Sequence, residues 1–240
     1  MTNFASSSLR RARVFVLVAL PVGGCTEVVH VATLSVTTLE SPSFEDLYPG
    51  PPLAGVEVCE TDTDNCAVSD AIGRATIDVP ADKEISFTLE KEGYVSTIVP
   101  RVTDETLASE SWSLLREELV ADFSGVNMIP YPWTGGVLFL AAFPRGAGVT
   151  YDLADETARV FYRDEAGTAD FDLTATTCCG LGAGLGGFVE VAPGEYQVEF
   201  GGTATDCILM AGWPGDAENR VRVPMKVGYI TYADMRCAYR

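Results

Sequence analysis

From Val28 onward the apolar residues come in short runs of about four to eight, each cut off by Gly, Pro, Asn or Asp. No run is long enough for a core helix of ordinary length, and most alternate or cluster β-branched and aromatic side chains. Such runs fold as strands. They are Val31 to Thr38, Gly55 to Cys59, Ala75 to Val79 and Ile85 to Leu89, then Val137 to Phe143, Ala158 to Tyr162, Phe188 to Val191, Tyr196 to Phe200, Val221 to Pro224 and Tyr229 to Tyr232. Between them the period changes once. Trp112, Leu115, Leu119 and Phe123 recur at helical spacing, with Ser109 or Ser111 placed to cap the start and Gly125 the end. With 47% apolar residues over 240 positions, there is material for a core in each half. The expected fold is mainly β: two tandem antiparallel β-sandwiches joined by one short helix, with domains at 31–103 and 136–240 and a helical connector over 104–135.

Three segments of the first half carry a family resemblance. They are Pro52-Leu-Ala-Gly-Val-Glu-Val58, Ser69-Asp-Ala-Ile-Gly73-Arg-Ala-Thr-Ile-Asp-Val-Pro80 and Phe87-Thr-Leu-Glu-Lys-Glu-Gly-Tyr94. Leu53, Val56 and Val58 supply buried faces, Gly73 makes the turn into the next strand, and Pro80 ends it because proline cannot donate to the ladder. Over residues 31–103 the pattern resembles the carboxypeptidase regulatory-like domain, a transthyretin-like or Ig-like sandwich of the carbohydrate-binding-like group. The resemblance implies a non-catalytic sandwich, since the regulatory-like domain is not the part of those enzymes that does chemistry. Gly187-Phe-Val-Glu-Val-Ala-Pro-Gly194-Glu-Tyr-Gln-Val-Glu-Phe200 repeats the order glycine, strand, Val, Pro, turn, strand, which suggests a second copy of the same kind of domain.

The first 24 residues read as an address. They hold no acid, Arg10, Arg11 and Arg13 make a basic start, and Val14 to Val22 is an apolar stretch far short of the ~20 residues that span a bilayer. The stretch ends in Val22-Gly23-Gly24-Cys25, which resembles a bacterial lipobox. The resemblance implies cleavage before Cys25, lipid on that cysteine, and a short tether over 25–30. Two or three acyl chains make a stable anchor where one binds only marginally. Residue Thr26 after the cysteine, in place of Asp, points to the outer membrane of the cell envelope.

With Cys25 set aside for lipid, six of the seven cysteines remain, an even number suited to disulfides in an oxidising compartment. Cys59 and Cys66 flank a polar stretch and could clip a hairpin tip. Cys207 and Cys237 could staple two strands, which leaves Cys178 and Cys179 as a vicinal disulfide or a free pair. Other pairings among these last four stay open. Zinc is disfavoured, because no C-x-x-C is present and no histidine lies nearby.

Composition also excludes functions. A net charge of −18 argues against nucleic acid, which needs clustered Lys and Arg. The single histidine, His30, leaves the many Ser and Thr hydroxyls without a base. Gly182-Ala-Gly184-Leu-Gly-Gly187 has the glycines of a dinucleotide loop, but a strand follows where a helix is required. Asp62-Thr-Asp64-Asn65 starts like a calcium loop but has Ala67 and Gly73 where Gly and Glu are needed. The expectation is a non-enzymatic, lipid-anchored envelope protein with no cofactor and no metal, which binds or scaffolds an envelope glycan or protein. Tyr131, Trp133 and Trp213, each beside Pro or Gly, are the candidate ligand-contacting aromatics. The rival readings are an envelope hydrolase using paired carboxylates and a ligand-free spacer. Replacing Cys25 with Ser should release the protein from membranes. A variant that still sediments with membranes and still labels with radioactive palmitate would contradict lipidation there.

Overall fold

In the computed structural model, residues 30–41, 50–103, 109–126, 129, 131–177 and 183–240 are described. Alternation organises the first half. In β4 (Arg74–Pro80), Ala75, Ile77 and Val79 are buried while Arg74, Thr76 and Asp78 are exposed, so one face must meet another layer. β4 pairs with β1 (Val31–Ser41), which pairs in parallel with β7 (Ser109–Leu115). The facing layer is built from β2 (Glu57–Glu60), β3 (Cys66–Val68), β5 (Lys83–Glu90) and β6 (Thr97–Thr103), in the order β6-β5-β2-β3. Leu34, Val36, Ile77, Phe87, Leu89, Trp112 and Leu114 fill the space between, with the Phe87 and Trp112 rings 5.0 Å apart.

The second half repeats the scheme around β8 (Gly136–Phe143), β9 (Val149–Leu153), β10 (Arg159–Arg163), β11 (Ala169–Asp170), β12 (Leu185–Val191), β13 (Gly194–Gly202), β14 (Ala204–Ala211), β15 (Trp213–Pro214), β16 (Arg220–Met225) and β17 (Ile230–Tyr239). A four-stranded sheet, β15-β16-β13-β9, faces β11-β10-β12-β8-β17, with β14 also paired to β17. Leu138, Leu140, Val198, Phe200, Val221, Val223 and Met235 are among the side chains between them. The mainly β sandwich architecture is therefore present, with one short helix, α1 (Glu117–Val126), and no helix among the described residues long and apolar enough to cross a membrane.

Two features go beyond the sequence reading. First, the helical spacing that begins at Trp112 is misleading. Trp112 and Leu115 belong to β7, Ser109 and Ser111 are strand residues rather than caps, and the helix starts at Glu117. Seven residues of β7 pair with β1, from Ser35 with Ser109 to Ser41 with Leu115, and that ladder, together with burial of Trp112 and Leu114, outweighs the local period. The expected connector over 104–135 thus gives a strand to the first sandwich before it gives a helix. Glu117 and Glu118 in the first turn suit the helix dipole, and Leu119, Val120 and Phe123 pack into a third core with Val95, Phe161, Val189 and Ile230.

Second, the two halves share one sheet. β17 pairs in parallel with β8 over seven residues and with β6 through Ile230 opposite Thr97 and Thr231 opposite Ile98, so ten strands form a continuous sheet. Around that seam the Ile230 amide donates to Ser96 O at 2.9 Å, and Trp213 Nε1 donates to Ile85 O at 2.8 Å. Lys226 pairs with Asp62 at 2.6 Å, Arg222 with Glu84, and the Tyr229 hydroxyl with Glu90. The sandwiches are welded along a strand, beyond any tether through the helix.

Cys59 bonds Cys66 across β2 and β3, and Cys207 bonds Cys237 across β14 and β17. Cys25, Cys178 and Cys179 lie outside the described residues. The bonds close separations of 7 and 30 residues. On loop-closure entropy, replacing the pair Cys207 and Cys237 by Ala should cost about 3–4 kcal/mol, against about 2 kcal/mol for Cys59 and Cys66. Urea unfolding of the two double variants checks the order. Equal losses would contradict it.

Candidate functional site

A cleft opens where β17 changes neighbours. It leaves β6 after Thr231 and meets β14 from Asp234, where Ala211 is its partner. Between these points β6 and β17 are not paired, and Val99 and Arg101 on β6 and Tyr232 and Asp234 on β17 help line a cavity of about 280 Å³. β8 and β12 extend the floor and β7 forms the far wall with Ser111, Trp112 and Ser113. A largely apolar hollow at a domain junction, with a few convergent polar groups, has the usual make-up of a ligand site.

The floor is aromatic. Phe139 and Tyr232 stack at 5.7 Å with their planes 22° apart, and the Arg163 guanidinium lies 5.8 Å from the Phe139 ring. Arg101 donates to Glu110 Oε2 at 3.2 Å and to Pro100 O at 2.9 Å, and lies 5.9 Å from the Trp112 ring. Trp112 Nε1 donates to the same Glu110 oxygen at 3.3 Å, so this carboxylate holds the wall to β6. Asp234 is different. It is half-buried, lies near Arg101, and receives no hydrogen bond from the described residues. Burial pushes its carboxyl up to about 6 against the opposing pull of Arg101. Burial also raises the Tyr232 phenol, with Arg163 lowering it and Asp234 adding to the rise.

The aromatics nominated from sequence lie elsewhere. Trp133 is only 4% exposed and donates from Nε1 to Ser124 Oγ at 3.0 Å, so it plugs the third core and offers no stacking face. Tyr131 stands edge-on to it, half-buried, at 5.5 Å. Trp213 is half-buried at the seam, bonded to Ile85 O and beside Arg222. None of the three lines the cleft. Of the glycine motif, Gly182 lies outside the described residues, and Gly187 is in β12, where a Cβ would sit 1.9 Å from Leu138 O, so this glycine serves strand packing. Asp62 in the acidic turn binds Lys226. The carboxylate of Glu57 lies near the sulfurs of Cys59 and Cys66, but their disulfide withdraws both as metal ligands.

The cleft residues themselves escaped sequence reading because period-two alternation assigns Tyr232 and Asp234 to the face opposite Ala233 and Met235, which reads as solvent-facing. One signal was available. The unbroken run Gly136-Val-Leu-Phe-Leu-Ala-Ala142 is buried on both faces, and such a strand implies a second layer over its other side.

The Asp234 shift has a stability consequence with a definite sign. Because the folded state holds this proton more tightly than the unfolded chain, the associated stability is full below about pH 4 and is lost as pH rises through about 6. Asp234→Asn should therefore match the parent near pH 4 and melt at a higher temperature at pH 7.5. A lower Tm at pH 7.5 would show the ionised carboxylate to be stabilising instead.

No protein-family model and no curated protein matches the chain. Among solved structures, an interface mutant of the type II cohesin–X-dockerin complex from Acetivibrio cellulolyticus is similar at 17% identity and a TM-score of 0.25, covering 35% of this chain and 58% of that one. The minor pilin GBS52 of Streptococcus agalactiae is similar at 12% identity and a TM-score of 0.26, covering 87% and 96%. The family 26 carbohydrate-binding module of Eubacterium rectale Amy13K, in complex with maltoheptaose, is similar at 13% identity and a TM-score of 0.25, covering 87% and 97%. This chain thus spans little more than half of the cohesin–dockerin chain, and none of these distant likenesses bears on what it binds.

Proposed function

We propose that the protein is a non-catalytic, lipid-anchored component of the bacterial cell envelope, tethered through Cys25 in the outer membrane, which takes an envelope glycan into the cleft between its two sandwiches. The observation that carries this reading is the convergence of Arg101, Arg163, Tyr232 and Asp234 on one hollow of about 280 Å³ floored by aromatic rings. The lipobox-like Val22-Gly23-Gly24-Cys25 supports the anchor, and the pattern over residues 31–103 supports a regulatory-like, non-catalytic sandwich. A hydrolase of the two-carboxylate kind draws less support, because the cleft lining includes one carboxylate among the described residues, Asp234.

The chain from Thr26 to Arg240, applied to an array of bacterial envelope glycans, should bind at micromolar concentration. Ser111→Trp, which places a bulky side chain at an exposed position of the cleft wall, should weaken that binding at least about tenfold. Binding untouched by Ser111→Trp would move the site away from the cleft, and no glycan binding at all would remove the reading.

A further inference from the structure

The polar groups of the cleft are unequal, and their inequality selects a ligand. Arg101 is engaged by Glu110 and Pro100 O. Arg163 lies against Phe139. The Asp234 carboxylate presents acceptor oxygens to the cavity with no hydrogen bond to them among the described residues, and the buried Arg101 Nε is likewise without an acceptor among them. The charged groups around it are Arg101 on β6, Arg163 on β10 and Glu110 on β7, with the Tyr232 hydroxyl on its own strand and Tyr151 on β9 also within electrostatic reach. The lining holds two guanidinium groups and one carboxylate, and Glu110, outside the lining, pairs with Arg101, so the surroundings are near neutrality when Asp234 is ionised. An added cation would meet both arginines, and an added anion would meet the Asp234 carboxylate. A neutral ligand rich in hydroxyl donors meets neither penalty and supplies what Asp234 lacks.

Resting on the reading of the cleft as the binding site, we infer that its ligand is a single neutral sugar ring, two of whose adjacent hydroxyls donate to the Asp234 carboxylate. The volume, at the small end for ligand sites, holds one ring rather than a chain. The Phe139–Tyr232 stack offers an apolar floor for the C–H face of the ring, and the Ser111 and Ser113 hydroxyls opposite can each donate and accept. Because the ionised carboxylate is the acceptor, affinity falls when Asp234 takes up its proton.

Saturation-transfer NMR and titration of the mature protein with glucose, galactose, mannose, N-acetylglucosamine and glucuronate, at pH 7.5 and 5.0, test this. At least one neutral sugar should bind, with Kd about tenfold weaker at pH 5.0 as a carboxyl titrating near 6 becomes protonated. Asp234→Asn should weaken binding at pH 7.5 at least about tenfold and abolish the pH dependence, its melting curve reporting that it is folded. Glucuronate binding more tightly than every neutral sugar at pH 7.5, or equal affinity in Asp234→Asn, overturns the inference. So does the absence of binding by any of the sugars at 50 mM. If in that last case Ser111→Trp still abolishes binding on the glycan array, the sugar-ring inference fails while the cleft stands. If cleft-dependent binding is absent everywhere, both fail.

Discussion

The structure turns on the last strand. β17 lies parallel to β8 along its first seven residues, touches β6 only at Ile230 and Thr231, and is then taken up by β14. The short contact with β6 joins two sandwiches into one ten-stranded sheet, and its early end opens the cleft. Had β6 and β17 remained paired to the level of Arg101 and Asp234, the sheet would have closed over the place where those side chains meet. The Cys207–Cys237 bond holds β14 against β17 on the far side of the exchange.

The sandwich interiors were legible in the sequence, because each half buries a face defined by its own neighbours in the chain. Ala75, Ile77 and Val79 announce such a face, and so do Val221 and Val223. The Cys59–Cys66 bond was legible for a related reason, since both cysteines flank one short polar stretch, whereas Cys207–Cys237 was one of several pairings left open until β14 and β17 are set side by side. What resisted reading was non-local. Trp112 and Leu115 fit a helical period as well as a strand, and only the ladder to β1, about seventy residues earlier, decides between them. Tyr232 and Asp234 belong to a face that becomes internal when the other sandwich arrives, and no local window contains that event. Trp133 and Trp213 have the Pro and Gly neighbours of loop residues, yet their indoles are bonded to Ser124 Oγ and Ile85 O at the junction.

Electrostatics follow the same division between local and shared. The proposed cleavage before Cys25 would take three arginines and no acid, leaving 13 basic against 34 acidic side chains and a net charge of −21. Such a surface is repelled by anionic headgroups, so the proposed attachment would rely on lipid alone. Against this background the seam gathers basic groups: Lys226 and Arg222 reach across to Asp62 and Glu84 of the first sandwich, and Arg101 and Arg163 line the cleft. Cross-domain pairs at the surface add little each, whereas the strand contact between Thr97 and Ile230 is buried and continues into the third core that both halves build.

The welding of the two sandwiches by β17 is therefore the claim on which the cleft depends, and native-state hydrogen exchange at the Ile230 amide tests it most directly. That amide donates to Ser96 O across the seam. If the halves open only together, it should exchange with the same free energy as core amides of both sandwiches, such as those of Phe87 and Leu138, and show the same denaturant dependence. Exchange at a markedly lower free energy, with both cores still protected, would mean that the sandwiches separate while folded and that the cleft is not a fixed feature of the molecule.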